Sequence, residues 1–358
     1  MKTSAYKLVL LFAVLAITAC KKDPKISSTK TETPDNDNFT VTAIDSNYLP
    51  LTVVTIAGKA GAKGYADGTG SQARFNGVWG IDLTDDGTLY VAEVHNNTIR
   101  KITPSGIVST VNIPSRSDGI SLKNPLAVRV AKDGTINIVA TDYTYPVKYK
   151  VWIVKPNGQL LTPNTHTDEY FYYDLAKDPY NDFYWICGIK GDADNNNGGP
   201  KAMLEKFQLD AQGTIGTHGY TIKNESLNGY DQQLPAVVNI FAGYDGVKYL
   251  VLRNQHIYKL TPSGKLTLLF PNVVFNTVYS IIATKDSRTF YIATGGTIKR
   301  YFNGKLQYLV GPNKPYDGGD GVGTSADITA HHMVLSKDES VLYFTDYEHC
   351  TIRKLLLK

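Results

Sequence analysis

The side chains with the widest chemical reach in this 358-residue chain are its seven histidines and three cysteines. Their spacing builds no familiar centre. His331 and His332 are adjacent, and on a strand neighbouring side chains point to opposite faces, so the pair is not expected to share a metal. His95, His166, His218, His256 and His349 show no ligand spacing. No Cys-x-x-Cys occurs, which argues against a zinc ribbon or a redox pair. No serine stands in a Gly-x-Ser-x-Gly elbow. Asp192, Asp194 and Asn196 place oxygen ligands at alternate positions, as at the start of a calcium loop. Asn197 stands where that loop needs glycine and Met203 where its closing glutamate belongs, so a solvated, turn-rich insertion is the better reading. Catalysis has no positive support, and no cofactor or metal is expected.

The elements that would have to position such groups repeat. Ala73–Ile102 returns as Ala326–Leu355, every pair 253 positions apart, without a gap. Leu89-Tyr90 meets Leu342-Tyr343, and Thr98-Ile99-Arg100-Lys101 meets Thr351-Ile352-Arg353-Lys354. A self-match of this length marks a repeat architecture. Within the first unit, Val78–Leu83, Leu89–Val94, Thr98–Ile102 and Ile107–Val111 read as four antiparallel strands separated by turn residues. The final turn recurs with its glycine at Gly106, Gly158, Gly213, Gly264 and Gly304. A sixth unit ends before its own turn and outer strand, while Leu51–Ala57 is a spare strand ahead of the first unit. That strand is expected to complete the last unit and close the ring, because an open ring leaves exposed strand edges. The expected fold is all-β: a six-bladed β-propeller of four-stranded antiparallel blades over residues 48–358, about 52 residues per blade. Cys187 and Cys350 then fall in opposite blades, too far apart for a disulfide.

Gly64-Tyr65-Ala66-Asp67-Gly68-Thr69-Gly70, Ala73-Arg74-Phe75-Asn76, Leu89-Tyr90-Val91-Ala92 and Asn97-Thr98-Ile99-Arg100-Lys101-Ile102 resemble an NHL repeat. The match is close in the first and sixth units, looser elsewhere and weakest in the third. The chain as a whole resembles the NHL-repeat six-bladed propeller lipoproteins of Bacteroidetes-like bacteria. The resemblance implies the fold; it does not imply one function, since propellers host binding, scaffolding and catalysis alike. A gluconolactonase-like metal centre would need a ring of ligands at the axis. Glu93 and Asp346 correspond, but the other units are read as Ala140, Arg253 and Thr294 there, so these acids are expected to brace a neighbouring loop.

Long connections, including 58–75, 143–150, 188–201 and 311–328, should cluster at one end, where binding sites on rigid scaffolds usually sit. Aligned units place Trp79, Leu126, Val238, Tyr279 and His332 at the mouth of the inner strands there, with Phe171 or Tyr172 as the sixth. Trp79, Tyr172, Tyr279 and His332 are the candidate ligand-binding residues, an aromatic rim suited to sugar rings or apolar groups; burial between blades is the competing reading.

Residues 1–19 read as a signal peptide whose apolar run Leu8–Ala19 is too short to span a bilayer. Ile17-Thr18-Ala19-Cys20 resembles a bacterial lipobox, which implies lipid on Cys20 and, with Lys21 following, an outer-membrane address facing the periplasm or the outside. Residues 20–47, with little to bury, read as a disordered tether. Lys2 and Lys7 contribute to the formal net charge of +4, so the mature chain is near neutral and nucleic acid is not an expected partner. The function expected is a non-catalytic, membrane-anchored, monomeric binding module for a glycan or a peptide or protein ligand. The alternatives are a metal-dependent lactonase-like or lyase-like enzyme and a scaffold for a protein complex.

Overall fold

The computed structural model describes residues 43–45, 51–141, 151–162, 170–191, 200–208, 218–222, 226–227, 229–232, 235–311 and 317–357. Cys20 and the stretch containing Asp192, Asp194 and Asn196 lie outside these residues. Six antiparallel sheets form a ring, and each inner strand packs against the inner strands of both neighbours, that of blade 6 against that of blade 1. In blade 1 the strands run Val78–Leu83, Leu89–Glu93, Thr98–Ile102 and Ile107–Thr110 from the axis outward, within one residue of the boundaries expected. The inner strands of blades 2 to 6 are Pro125–Val130, Tyr170–Lys177, Val237–Ala242, Val278–Ala283 and Ala330–Leu335. The fold is a six-bladed β-propeller.

Closure follows the expected scheme. Thr52–Ala57 pairs antiparallel with Thr351–Leu356, in register Val53↔Leu355 and Val54↔Lys354, and supplies the outer strand of blade 6. Among the described residues, three blades carry a fifth strand. Gly68–Thr69 and Gly321–Val322, equivalent pieces of the repeat, cover the outer edges of blades 1 and 6. Ala43–Asp45 pairs parallel with Lys305–Gln307 on the edge of blade 5. The expectation of a wholly disordered stretch over 20–47 therefore needs correction. An outer strand presents a row of unpaired N–H and C=O groups, and a short segment can add to that edge through its backbone.

The apolar core is divided among the blade interfaces, one cluster to each of the six. Leu342 and Phe344 of blade 6 meet Ile298 and Leu309 of blade 5, and Ile99 of blade 1 meets Ile138 and Trp152 of blade 2. These strands are buried on both faces, so their apolar residues run on rather than alternating. Cys187 and Cys350 are buried and free, as expected; burial pushes the Cys187 thiol well above its ordinary pKa.

The acids in the repeated motif brace loops, and the structure supplies the cation they hold. Arg100 is fully buried and donates from Nη1 to Glu93 Oε1 (2.7 Å) and the Arg74 carbonyl (3.0 Å). Its Nη2 donates to Asp67 Oδ1 and the Ala66 carbonyl, both at 2.7 Å. Arg353 repeats the pattern on Asp346 Oδ2 (2.8 Å), the Asp327 carbonyl (2.5 Å), Asp320 Oδ1 and the Gly319 carbonyl (2.7 Å each). A planar guanidinium satisfied on two edges pins each long inter-blade loop to the third strand of its own blade.

Candidate ligand-binding site at the channel mouth

Every inner strand carries a β-bulge near its start. The ladder skips Trp79-Gly80 in blade 1, Leu126 in blade 2, Tyr173 in blade 3, Val238 in blade 4, Tyr279 in blade 5 and His331-His332 in blade 6. A bulge breaks strict alternation and re-aims the extra side chain. Here the skipped residues lie at the end where the inter-blade loops enter, half-exposed in blades 1, 3, 4 and 5 and buried in blades 2 and 6. Trp79, Tyr173, Val238 and Tyr279 are accordingly half-exposed at positions where a regular inner strand would bury them.

One side of the mouth is an aromatic wall. The His331 ring stacks between Tyr279 (centroids 3.7 Å apart, 18° between planes) and Tyr347 (4.7 Å, 9°). Trp79 meets His331 edge-on at 4.9 Å and Tyr347 edge-on at 5.4 Å, and lies 5.9 Å from His332. Because of the bulge, both histidines reach Trp79, which corrects the expectation that their rings would diverge. Both are buried, and Nδ1 of each meets no hydrogen-bond partner. Burial holds both rings neutral. His331 is pushed well below its ordinary pKa by burial and then by His332, and His332 is pushed down to about 3 by burial and then by the charge of Arg129. A neutral imidazole offers one N–H donor and one acceptor, so each buried ring keeps a polar atom without a partner and without charge behind the half-exposed aromatic rings.

Beneath the mouth, a ring of polar contacts steps from blade to blade around the axis. Val130 N–H donates to Asp82 Oδ2 (2.7 Å), and Arg129 Nη2 to Asp174 Oδ1 (3.2 Å). Asn239 Nδ2 donates to Asp174 Oδ2 (2.7 Å), and Ile281 N–H to Asn239 Oδ1 (3.2 Å). Ser280 Oγ donates to the His331 carbonyl and Thr345 Oγ1 to the Trp79 carbonyl, each at 2.7 Å. All six interfaces are bridged. Each bond contributes about 1 kcal/mol net, against roughly 3–5 kcal/mol for a core side chain such as Phe344. The apolar clusters therefore supply the stability, and the ring fixes how neighbouring blades register.

Of the residues expected at the mouth, Trp79, Tyr279 and His332 are there, and Leu126 and Val238 occupy the same bulge in their blades. Tyr172 is not. It is buried in the cluster between blades 2 and 3, paired opposite Gly188, and Phe171 pairs opposite Ile189; Tyr173 takes the bulge. The third blade lacks the repeat motif, so its register was open by a residue or two. Arg253 also shifts by one. Leu252, paired with Val237, is the counterpart of Glu93, which pairs with Val78. Arg253 instead matches Tyr347: their N–H groups donate to Ala236 and Thr329, the residues just before the two inner strands. Tyr173 and Tyr347 were not singled out from the sequence, and His331 was weighed there only as a metal ligand; bulges carry His331 and Tyr173, and Tyr347 joins the wall from the loop after Val341–Asp346. Among the described residues, no group of three His, Cys, Asp or Glu side chains is placed to hold a metal ion.

No family model and no curated protein sequence matches the chain. Solved structures do match its fold. The chain is similar to a structural genomics protein of unknown function from Bacteroides thetaiotaomicron, at 15% identity and TM-score 0.62, over 86% of this chain and 76% of that one. It is similar to an auxiliary nutrient binding protein from Bacteroides ovatus at 14% identity and TM-score 0.62, over 87% and 77%. A catalytically inactive virginiamycin B lyase from Staphylococcus aureus with quinupristin matches at 14% identity and TM-score 0.54, over 86% and 99%. Likenesses at these identities concern the fold.

Proposed function

We propose that this protein is an NHL-type propeller lipoprotein of the cell envelope that binds a glycan at its channel mouth without transforming it. The observation that carries the reading is the wall formed by Trp79, Tyr279, Tyr347 and the two neutral histidines. Half-exposed aromatic rings such as Trp79, Tyr279 and Tyr347 stack on the apolar faces of sugars. The fold shared with an auxiliary nutrient binding protein supports a binding role, and the duplicated Arg100 and Arg353 braces support the NHL-type repeat. The lipobox-like Cys20 carries the anchor at the outer membrane. Ala43 pairs with Lys305, directly after the short turn at Asn303-Gly304, so the tether side of the chain joins the propeller at the end away from the mouth.

Isothermal titration against a panel of neutral and acidic oligosaccharides tests the reading. Trp79→Ala and Tyr279→Ala should each weaken binding about tenfold or more while leaving the melting temperature near wild type. Binding that survives both substitutions places the site elsewhere. Fractionation of cells carrying Cys20→Ala checks the anchor: the variant should leave the membrane fraction, and its retention there would rule the anchor out.

A further inference from the structure

Opposite the aromatic wall the mouth has a different chemistry. Blade 3 faces blade 6 across the ring, and its bulge residue is Tyr173. Arg253 enters from the loop of blade 4, at the position that Tyr347 holds in blade 6. Its Nη2 donates to the Tyr173 hydroxyl at 3.1 Å, and its guanidinium lies 5.7 Å from the Tyr173 ring centre. Arg100 and Arg353 are each committed to two carboxylates, and Arg129 to one. Arg253 has no carboxylate within ion-pair distance among the described residues, and it is only half-buried. The Tyr173 hydroxyl accepts from Arg253, and no acceptor among the described residues takes its own proton. Two donors, one of them charged, therefore converge at one side of the mouth without an anion. The opposite side carries the reverse sign: Glu348 is exposed and its charge contributes to raising the pKa of Tyr279, behind the larger effect of burial.

We infer that Arg253 and Tyr173 form a carboxylate-recognising subsite, and that the ligand is an acidic sugar. It lays a ring against the wall of Trp79 and Tyr279 and turns its carboxylate toward Arg253, away from Glu348. A guanidinium matches a planar carboxylate with two parallel N–H donors, and a phenol adds a third. The inference rests on the glycan reading of the mouth and adds the charge that the ligand must carry.

The experiment is titration of the full chain with tetramers of galacturonate, mannuronate and guluronate, each beside its methyl ester, and with a neutral glucose tetramer and a tetraglutamate peptide. The wild type should bind at least one acidic tetramer about ten- to a hundredfold more tightly than its ester, with affinity falling as salt rises. Arg253→Met should erase that difference, by weakening the acid far more than the ester, with the melting temperature near wild type, and Arg253→Lys should restore it in part. Equal binding of acid and ester by the wild type, or a preference that persists in Arg253→Met, overturns the subsite but leaves the mouth standing if Trp79→Ala still abolishes binding. Binding of no oligosaccharide overturns both readings. Tighter binding of tetraglutamate replaces the sugar with an acidic peptide and overturns the inference.

Discussion

Asp320 accepts two hydrogen bonds from Thr55, one from the backbone N–H at 2.9 Å and one from the hydroxyl at 2.7 Å. The same carboxylate receives Arg353 Nη2. Asp67 does the same work in blade 1 with Thr110 and Arg100. In blade 1 the acceptor and donor strands are near neighbours in the chain, whereas in blade 6 the contact joins the two ends of the propeller. An ordinary repeat contact has become part of the latch.

Asp320→Ala should therefore lower stability more than Asp67→Ala. Each substitution removes the same bonds and strips a partner from a buried guanidinium, at a cost of about 1–3 kcal/mol. Only the first also loosens Thr52–Ala57 from the blade that it completes. Urea denaturation should show a lower midpoint for Asp320→Ala, and amide exchange should speed up along Thr52–Ala57 in that variant alone. Equal midpoints and unchanged exchange would count against the latch.

His349 gives blade 6 a pH dependence that blade 1 lacks. Its Nδ1 lies 2.8 Å from Asp346 Oδ1 and its Nε2 3.3 Å from Asp327 Oδ2. Burial opposes protonation, but the hydrogen bond and charge of Asp346, joined by Asp327, outweigh it and raise the pKa. Asp346 is also buried, yet His349 and Arg353 hold it below the usual carboxylate range. Glu93 has Asn96 where Asp346 has His349, and there burial wins and the pKa rises. A raised histidine stabilises the fold fully below its unfolded value of about 6.5 and loses that contribution as pH climbs through the folded value. His349→Asn should thus melt well below wild type at about pH 6, with the gap narrowing toward about pH 9. A gap that does not change with pH would contradict this.

Gly80 sits in the bulge beside Trp79 with no room for a side chain. A Cβ there would lie 2.6 Å from the Leu126 carbonyl oxygen and 2.8 Å from the Ala127 Cα, both backbone atoms of the next blade. Gly80→Ala should push blades 1 and 2 apart at the axis, costing about 1–3 kcal/mol. Thermal melting should show the loss, and ligand affinity should fall with it because Trp79 moves. A variant that melts like wild type would mean that the interface yields freely.

The sequence by itself determined the ring. The 253-residue offset, the turn glycines and the spare strand Leu51–Ala57 specify blade number, strand boundaries and closure, because those features depend on local turn chemistry and on a pattern repeated along the chain. It also aligned Trp79, Tyr279 and His332 at equivalent places near the start of their inner strands, since the offset carries Trp79 onto His332 and inner strands align by their apolar runs. Tertiary structure decided the rest. Tyr173 rather than Tyr172 reaches the mouth because a bulge shifts register by one residue, and no residue type signals it. Arg100 and Arg353 could be placed on the repeat but not paired with their acids until the loops folded back. The stack of Tyr279 on His331, the polar ring through Asp174 and Asn239, and the approach of Arg253 to Tyr173 all cross between blades. Contacts of that kind arise where separate repeats meet around an axis, and a pattern read along one strand holds no information about what stands across it.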